Sequence, residues 1–219
     1  MSKFKFLKNI NLLQYIYLNY FSKNINRRGN GKILPFKNTI FSFSRGSQII
    51  LYEDSLEIGT NKLRKSKAET YIRLREDAVW VVKGGADISY GSTIELLNKA
   101  QLHTGFFTMN SACVLICERE IVIGNDVMIG RGVTIYDSDF HKIRSNECNG
   151  IESSKFSPVY IGDKVWIATN ATILKGVFVN EGNIISAGTL LSNSVLEKNR
   201  IIMNDKDIII SSKDVDWSR

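Results

Sequence analysis

Ile161, Ile167, Ile173, Val179, Ile185 and Leu191 stand six residues apart without a break. Four places after each comes Val165, Ala171, Val177, Asn183, Thr189 and Val195, mostly small or β-branched. An earlier block keeps the same beat with Ile123-Gly124, Ile129-Gly130 and Ile135, and with Val127 and Val133 at the second position. A period of six matches neither the 3.6-residue turn of a helix nor the two-residue alternation of a plain strand. It matches a short strand followed by a corner, repeated. The aliphatic residue then points inward and stacks on its equivalent in the next coil, ~4.8 Å away. The second position faces a tight corner and must be small, and Gly124, Gly130 and Gly162 suit corner backbone geometry. One hexad cannot bury its apolar side alone, but a stack of coils buries a continuous aliphatic column. The pattern predicts an all-β parallel solenoid.

The repeat is broken once. Ile135 to Ile161 is four sixes plus two, so the phase slips, and the gap holds Asp139-Phe140-His141 followed by a polar stretch without hexads. We read residues 142–158 as a loop pushed out of the solenoid, the kind of excursion on a rigid scaffold that usually carries function. The expected organisation is an N-terminal helical segment over 1–30, irregular or early coils over 31–104, the hexad domain over 105–202, and a C-terminal tail over 203–219. Lys3, Lys5 and Lys8 precede the run from Leu12 to Phe21, and Lys23, Arg27 and Arg28 follow it. This reads as a short helix ended by Gly29-Asn30-Gly31. It is too short to span a bilayer. It is suited either to docking on the domain or to lying on a membrane surface with its basic flanks toward anionic headgroups.

With 43% apolar and 23% charged residues, the 219-residue chain can bury a real core and is not disordered in bulk. Its net charge of +7 suits phosphates, an acidic glycan or a membrane surface, though a solvated basic surface would show the same balance. We expect no nucleic-acid partner. Cys113, Cys117 and Cys148 are odd in number and no export signal precedes them, so a reduced, cytoplasmic chain is expected, with Cys113 and Cys117 as buried small side chains.

Two segments resemble the hexapeptide-repeat acyltransferases, a family with a left-handed parallel β-helix. They are Ile121-Val-Ile-Gly-Asn-Asp-Val-Met-Ile-Gly130 with Asp137-Ser-Asp-Phe-His141, and Val159-Tyr-Ile-Gly-Asp-Lys-Val-Trp-Ile-Ala168 onward to Ser186-Ala-Gly-Thr189. The resemblance covers about residues 105–195. Within the family it is closest to sugar O-acetyltransferases of capsule, exopolysaccharide and lipopolysaccharide synthesis, including those acting on sialic acid. Ser66-Lys-Ala-Glu-Thr-Tyr-Ile-Arg73 is similar to a segment of such capsule enzymes. The resemblance implies acetyl-CoA as acyl donor, a glycan or activated-sugar acceptor, no metal, and a homotrimer with sites between neighbouring subunits.

Transfer from a thioester to a hydroxyl needs a base, donors for an oxyanion and a track for CoA. His141 stands where the family places its catalytic histidine, and a neutral imidazole can accept the hydroxyl proton. Asp139, two residues earlier, would project to the same side of an extended stretch and orient the ring; a surface turn residue is an equal alternative. Asn110 matches a family asparagine that contacts the acceptor, and Trp166 lies in the family's Val-Trp-Ile pattern, where an indole can stack on a sugar or donate its N–H. The positions that match the pantetheine track are Thr169, Ala187 and Ser192, with Ala168 and Gly188 beside them. Lys198 and Arg200 are candidates for the CoA phosphates. Two features depart from the family: Ala168 replaces a glycine, and Arg200-Ile-Ile-Met-Asn-Asp-Lys206 stands where a Gly-x-Pro-Ala-Lys motif usually closes the nucleotide site.

The alternatives are N-acetylation of a nucleotide-linked amino sugar, a non-catalytic solenoid, and a zinc hydratase of the γ-carbonic anhydrase type. The last needs three histidines per metal, and this chain has His103 and His141.

Overall fold

The computed structural model describes residues 9–145, 156–204 and 215–218. Cys148, most of the expected loop and much of the tail lie outside them. The chain winds as a three-sided parallel β-helix. The first sheet has seven strands, from Ile25–Arg27 to Phe178–Val179; the second has eight, from Ile33–Pro35 to Ile201–Ile202; the third has seven, from Thr39–Phe43 to Leu190–Leu191. Every ladder within these three sheets is parallel, and each strand pairs with its equivalent one coil away. The corners stack into three ridges. The first ridge lies between sheets one and two, the second between two and three, and the third between three and one.

The hexad residues occupy the interior as expected: Ile161, Ile167, Ile173, Val179, Ile185 and Leu191 are all buried, and so are the second positions from Val165 to Thr189. Asn183, polar and fully buried, donates its amide to the carbonyls of Asn180 and Glu197 and accepts from the Arg200 N–H, so its burial leaves nothing unsatisfied. In this upper part each coil takes eighteen residues, three hexads, as the pairing of Ile173 with Leu191 shows.

Regular coils extend well below the hexads. Ile49 pairs with Trp80, Trp80 with Leu102, and Leu102 with Ile121, at successive offsets of 31, 22 and 19 residues. The region 31–104 is therefore β-helix of variable coil length, and coiling already begins at Ile25, inside the segment expected to be helical. The helix itself is shorter than expected. It runs Leu12–Ile16, capped by the Asn11 side chain accepting from the Gln14 N–H, and continues into one π turn at Tyr17–Phe21. It stops at Ser22, well before the glycines, because the chain must turn there to enter the first sheet. Leu18 and Asn19 plug the lower end of the core, with Asn19 bonding both the N–H and the carbonyl of Ile33. The opposite side leaves Leu12, Leu13, Tyr17, Tyr20 and Phe21 between 55% and 83% exposed.

Gly124, Gly130 and Gly162 serve the corners in a different way from that expected. Their φ values are not positive; an added Cβ would instead meet backbone of the next coil at 2.8 Å. Positive φ at the corners falls on other residues, among them Ala112, Asp126, Lys164 and Asn170.

Candidate functional site

The excursion leaves the stack at the third ridge, and its root is tightly built. Asp137 is fully buried, and its carboxylate accepts the backbone N–H groups of Glu118, Arg119 and Glu120 at 2.7–2.8 Å. One side chain thus ties the corner of the coil below to the start of the excursion. A three-donor anchor of this kind costs little to bury, because every lone-pair direction it uses finds a charge-assisted partner. Ser138 bridges to Phe156 across the neck, its hydroxyl bonds the Glu118 carboxylate, and Ser157 N–H donates to the Asp137 carbonyl at 2.9 Å. Phe140 takes φ +60, stacks edge-on with Tyr136 at 5.4 Å, and donates its N–H to the Ser138 hydroxyl oxygen at 2.9 Å. Strained left-handed backbone next to a pinned neck fixes where the following residue points.

That residue is His141, which stands exposed at the outer face of the neck. Asp139 is part-buried and forms an ion pair with Lys175 of the next coil. The Asp139 carboxylate is thus engaged by Lys175, a partner the sequence reading did not name. Sequence reasoning missed Lys175, although a signal for it exists: Ile135 pairs with Ile173, so Lys175 is the next-coil equivalent of Asp137 once the excursion is set aside.

Beyond the neck the chain forms a strand, Lys142–Ser145, where a loop was expected. It pairs antiparallel with Val215–Ser218, so that part of the expected tail is also a strand. Below the neck lies a cavity of about 320 Å³ lined by Arg75, Leu97, Asn98, Glu118, Arg119 and Phe156. The Arg119 guanidinium lies over the Phe156 ring at 5.6 Å from its centre.

Other candidate residues lie on the second ridge. Asn110, Gly130, Ala168 and Ser186 occupy successive levels of it, as the bonds from Asn110 N–H to Ile129, from Gly130 N–H to Ile167 and from Ala168 N–H to Ile185 show, and Ala187 follows Ser186. Thr169, Ala187 and Gly188 are exposed there, and an added Cβ on Gly188 would meet nothing within 4 Å. At Ala187 and Gly188 the ridge therefore presents little side chain to solvent. Trp166 lies on the second sheet between Met128 and Ile184 in register, with 44% of its surface exposed. Ser192 lies on the third ridge just past Leu191. Lys198 is on the first ridge, paired with Glu181, and Arg200 pairs with Glu197. One copy of the chain thus pairs Asp139 with Lys175 at the third ridge, two residues before His141. It leaves Asn110, Ala168, Thr169, Ala187 and Gly188 on a different edge, and Lys198 on a third.

Cys113 and Cys117 are buried, and burial pushes both thiols up; for Cys117 the Asp137 carboxylate adds to the effect. Both stay protonated near neutral pH, so neither is a nucleophile for a covalent acyl intermediate. His103 faces outward on the first sheet, near the Gln101 side-chain oxygen at 3.3 Å, and takes no part in the neck. Among the described residues no three His, Cys, Asp or Glu side chains cluster as metal ligands, and no helix is long and apolar enough to cross a membrane.

No family model matches the chain. A stretch of 70 residues is 41% identical to the polysialic acid O-acetyltransferase of Neisseria meningitidis, which is 32% of this chain and 32% of that protein. The match thus spans about a third of the curated relative's length. Among solved structures, the polysialic acid O-acetyltransferase OatWY overlaps 86% of this chain and 94% of its own, at 21% identity and a TM-score of 0.45. The polySia specific acetyltransferase NeuO overlaps 86% and 93%, at 16% identity and a TM-score of 0.44. A hexapeptide-repeat acetyltransferase of Vibrio cholerae O1 biovar eltor, complexed with acetyl coenzyme A, overlaps 54% and 60%, at 18% identity and a TM-score of 0.39.

Proposed function

We propose that this chain is an acetyl-CoA-dependent O-acetyltransferase acting on a sugar hydroxyl of a surface polysaccharide, with His141 as general base. The observation that carries the reading is the neck: the interruption in the upper coils is anchored by Asp137 and presents a histidine to solvent. The identity to a polysialic acid O-acetyltransferase over 70 residues supports the acceptor class.

In this reading a neutral His141 nitrogen takes the proton of the acceptor hydroxyl while the sugar oxygen attacks the thioester carbonyl. The tetrahedral oxyanion is met by N–H donors, for which Trp166 and Asn110 are the candidates. The C–S bond then breaks, and the imidazolium returns its proton to the CoA thiolate. Asp139 and Lys175 hold the neck so that the ring keeps its position. The small residues of the second ridge, part-exposed Ala168 and exposed Thr169, Ala187 and Gly188, fit the thin pantetheine arm of acetyl-CoA, since a thioester chain can lie close to bare backbone there. Ser192 and Lys198 lie on the other two ridges, so a site using all these groups draws on more than one copy. We therefore propose a homotrimer in which one copy's third ridge faces another's second. The thiols suit a cytoplasmic protein, and the exposed apolar face of the N-terminal helix suits peripheral contact with a membrane.

The test is His141→Ala and His141→Asn with acetyl-CoA and a panel of acidic, neutral and amine-bearing acceptors, following CoA release and the acetylated product by mass spectrometry. Loss of about 10²–10⁴-fold in turnover with intact circular dichroism is expected. Wild-type-like turnover in either variant overturns the mechanism, and transfer to amines in preference to hydroxyls overturns the acceptor class.

A further inference from the structure

The corner of the second ridge after Leu56–Thr60 is far longer than its neighbours, and it is basic. Residues 61–67 read Asn-Lys-Leu-Arg-Lys-Ser-Lys, and the first acidic residue after them is Glu69. The turn is ordered by its own bonds. Asn61 and Lys65 take positive φ, the Ser66 N–H donates to the Leu63 carbonyl at 3.0 Å, and the Asn61 amide donates to the Ser89 hydroxyl at 3.2 Å. With the corner of the coil below it encloses a cavity of about 390 Å³ whose lining includes Lys37, Lys62, Arg64 and Lys65 together with Asn38 and Asn61. No carboxylate lines it. Asp87, one coil above in the same ladder as Glu57, is engaged by the Thr60 hydroxyl. Among the described residues none of the four cations has an ion-pair or hydrogen-bonded side-chain partner.

Four unpaired cations around one cavity repel one another, and an anion relieves that repulsion. The lining narrows the class of anion. It offers amides for hydroxyls and guanidinium and ammonium groups for carboxylates, and its one aromatic side chain, Phe36, is buried and unable to stack on a nucleobase. The same ridge continues upward through Asn110 to Arg131, another exposed cation without a side-chain partner among the described residues. From the basic turn to Arg131 is three coils, about 14 Å at ~4.8 Å per coil. A monosaccharide cannot bridge that length; a chain of several acidic sugars can.

We propose that the turn 61–67 with Lys37 is a docking site for an acidic polysaccharide, holding its carboxylates while the chain runs along the second ridge toward Asn110 and Arg131. This deepens the transferase reading and rests on it for the identity of the occupant. The site holds the polymer away from the reacting hydroxyl, so its contribution falls on polymer affinity and not on the chemical step.

The experiment uses full-length protein and the triple variant K62E/R64E/K65E, with polysialic acid of about twenty units as the polymer and sialic acid as the monomer. Binding is measured by calorimetry without acetyl-CoA at about 50 and about 300 mM NaCl, a range over which exposed charge pairs are progressively screened, and transfer is measured separately. Wild-type binding is expected to weaken with salt, and the variant to bind the polymer at least ten-fold more weakly. In transfer, the variant's KM for polymer rises at least ten-fold at unchanged kcat, while transfer to monomer is unchanged. Equal polymer binding by wild type and variant overturns the proposal. So does wild-type protein that ignores polysialic acid but binds inorganic phosphate, anionic phospholipid vesicles or single-stranded RNA through these residues. The two readings fail separately. Polymer binding that depends on the triple site, in a protein without transferase activity, sinks the catalytic reading and leaves the docking site standing. Transfer that needs His141 but ignores the triple site does the reverse.

Discussion

The coils below Arg119 and those above it form the same three-sided prism from very different sequences. Above, coils of eighteen residues repeat aliphatic side chains of nearly one size, with corners cut to the minimum. Below, coils of 31, 22 and 19 residues bury Trp80 and Phe107 among leucines and isoleucines, and the corners vary in length. The hexad is therefore a rule about corner length. What both regions share is the inward apolar position and its register with the coil next door. Relaxing the corners costs regularity and leaves room for features such as the basic turn at 61–67.

Trp80→Ala tests the lower region most severely. The indole is fully buried and donates to the Thr104 hydroxyl at 3.2 Å, so a loss of about 3–5 kcal/mol is expected. In a solenoid each coil leans on its neighbours, so hydrogen exchange should rise in the lower coils first. Uniform loss of protection would mean that the two regions are one cooperative unit. Asp137→Ala, at the junction, strips three backbone N–H groups of their acceptor and is expected to cost about 3 kcal/mol, read by denaturant melting. On the proposed function it should also lower acetyl transfer through the displaced neck. Gly130→Ala crowds the Thr169 backbone at 2.8 Å and should cost about 1–3 kcal/mol. Gly91→Ala, in the lower region, has open space to 3.8 Å but φ +75, and should cost about 1 kcal/mol. Equal costs would erase the distinction between a corner limited by space and one limited by backbone conformation.

The smallest expected effect concerns Glu57, whose carboxyl is raised by burial and then by Asp87, its register neighbour. A raised folded value means the folded state holds the proton more tightly than the unfolded chain. The associated stability is present at low pH and is lost as pH rises through the folded value. Glu57→Gln should therefore stabilise the fold slightly at pH 7, by less than about 0.5 kcal/mol after solvent screening, read by thermal melting. That gain should vanish below the ordinary glutamate pKa of about 4.3. A destabilised variant at pH 7 would reverse the assignment.

The sequence shows its structure unevenly for the same reason. From Ile121 to Leu191, the excursion apart, a fixed coil length turns spatial stacking into sequence period, so the interior is legible residue by residue. Below, Ile49, Trp80 and Leu102 stack directly, yet no single period connects them, because each corner adds its own residues. His141 is visible because it follows the break in the period. The Asp139 to Lys175 contact is not, since it joins residues across the excursion that only coil stacking brings together. Asp137 reads as part of a motif, but its anchoring of residues 118–120 depends on a neighbouring coil and has no local signature. The strand at Lys142–Ser145 has no local signature either, because its partner lies about seventy residues further on.

That pairing bears on how the molecule comes into being. A stack of coils can assemble in the order it is synthesised, each new turn adding to the last. The excursion cannot finish with its own coil, because Val215–Ser218 leaves the ribosome roughly 4–15 s after Lys142–Ser145. Until then the neck holds a strand with an open edge. The region around His141 is thus among the last parts to mature, and a nascent chain carries a complete lower scaffold well before it carries a complete neck.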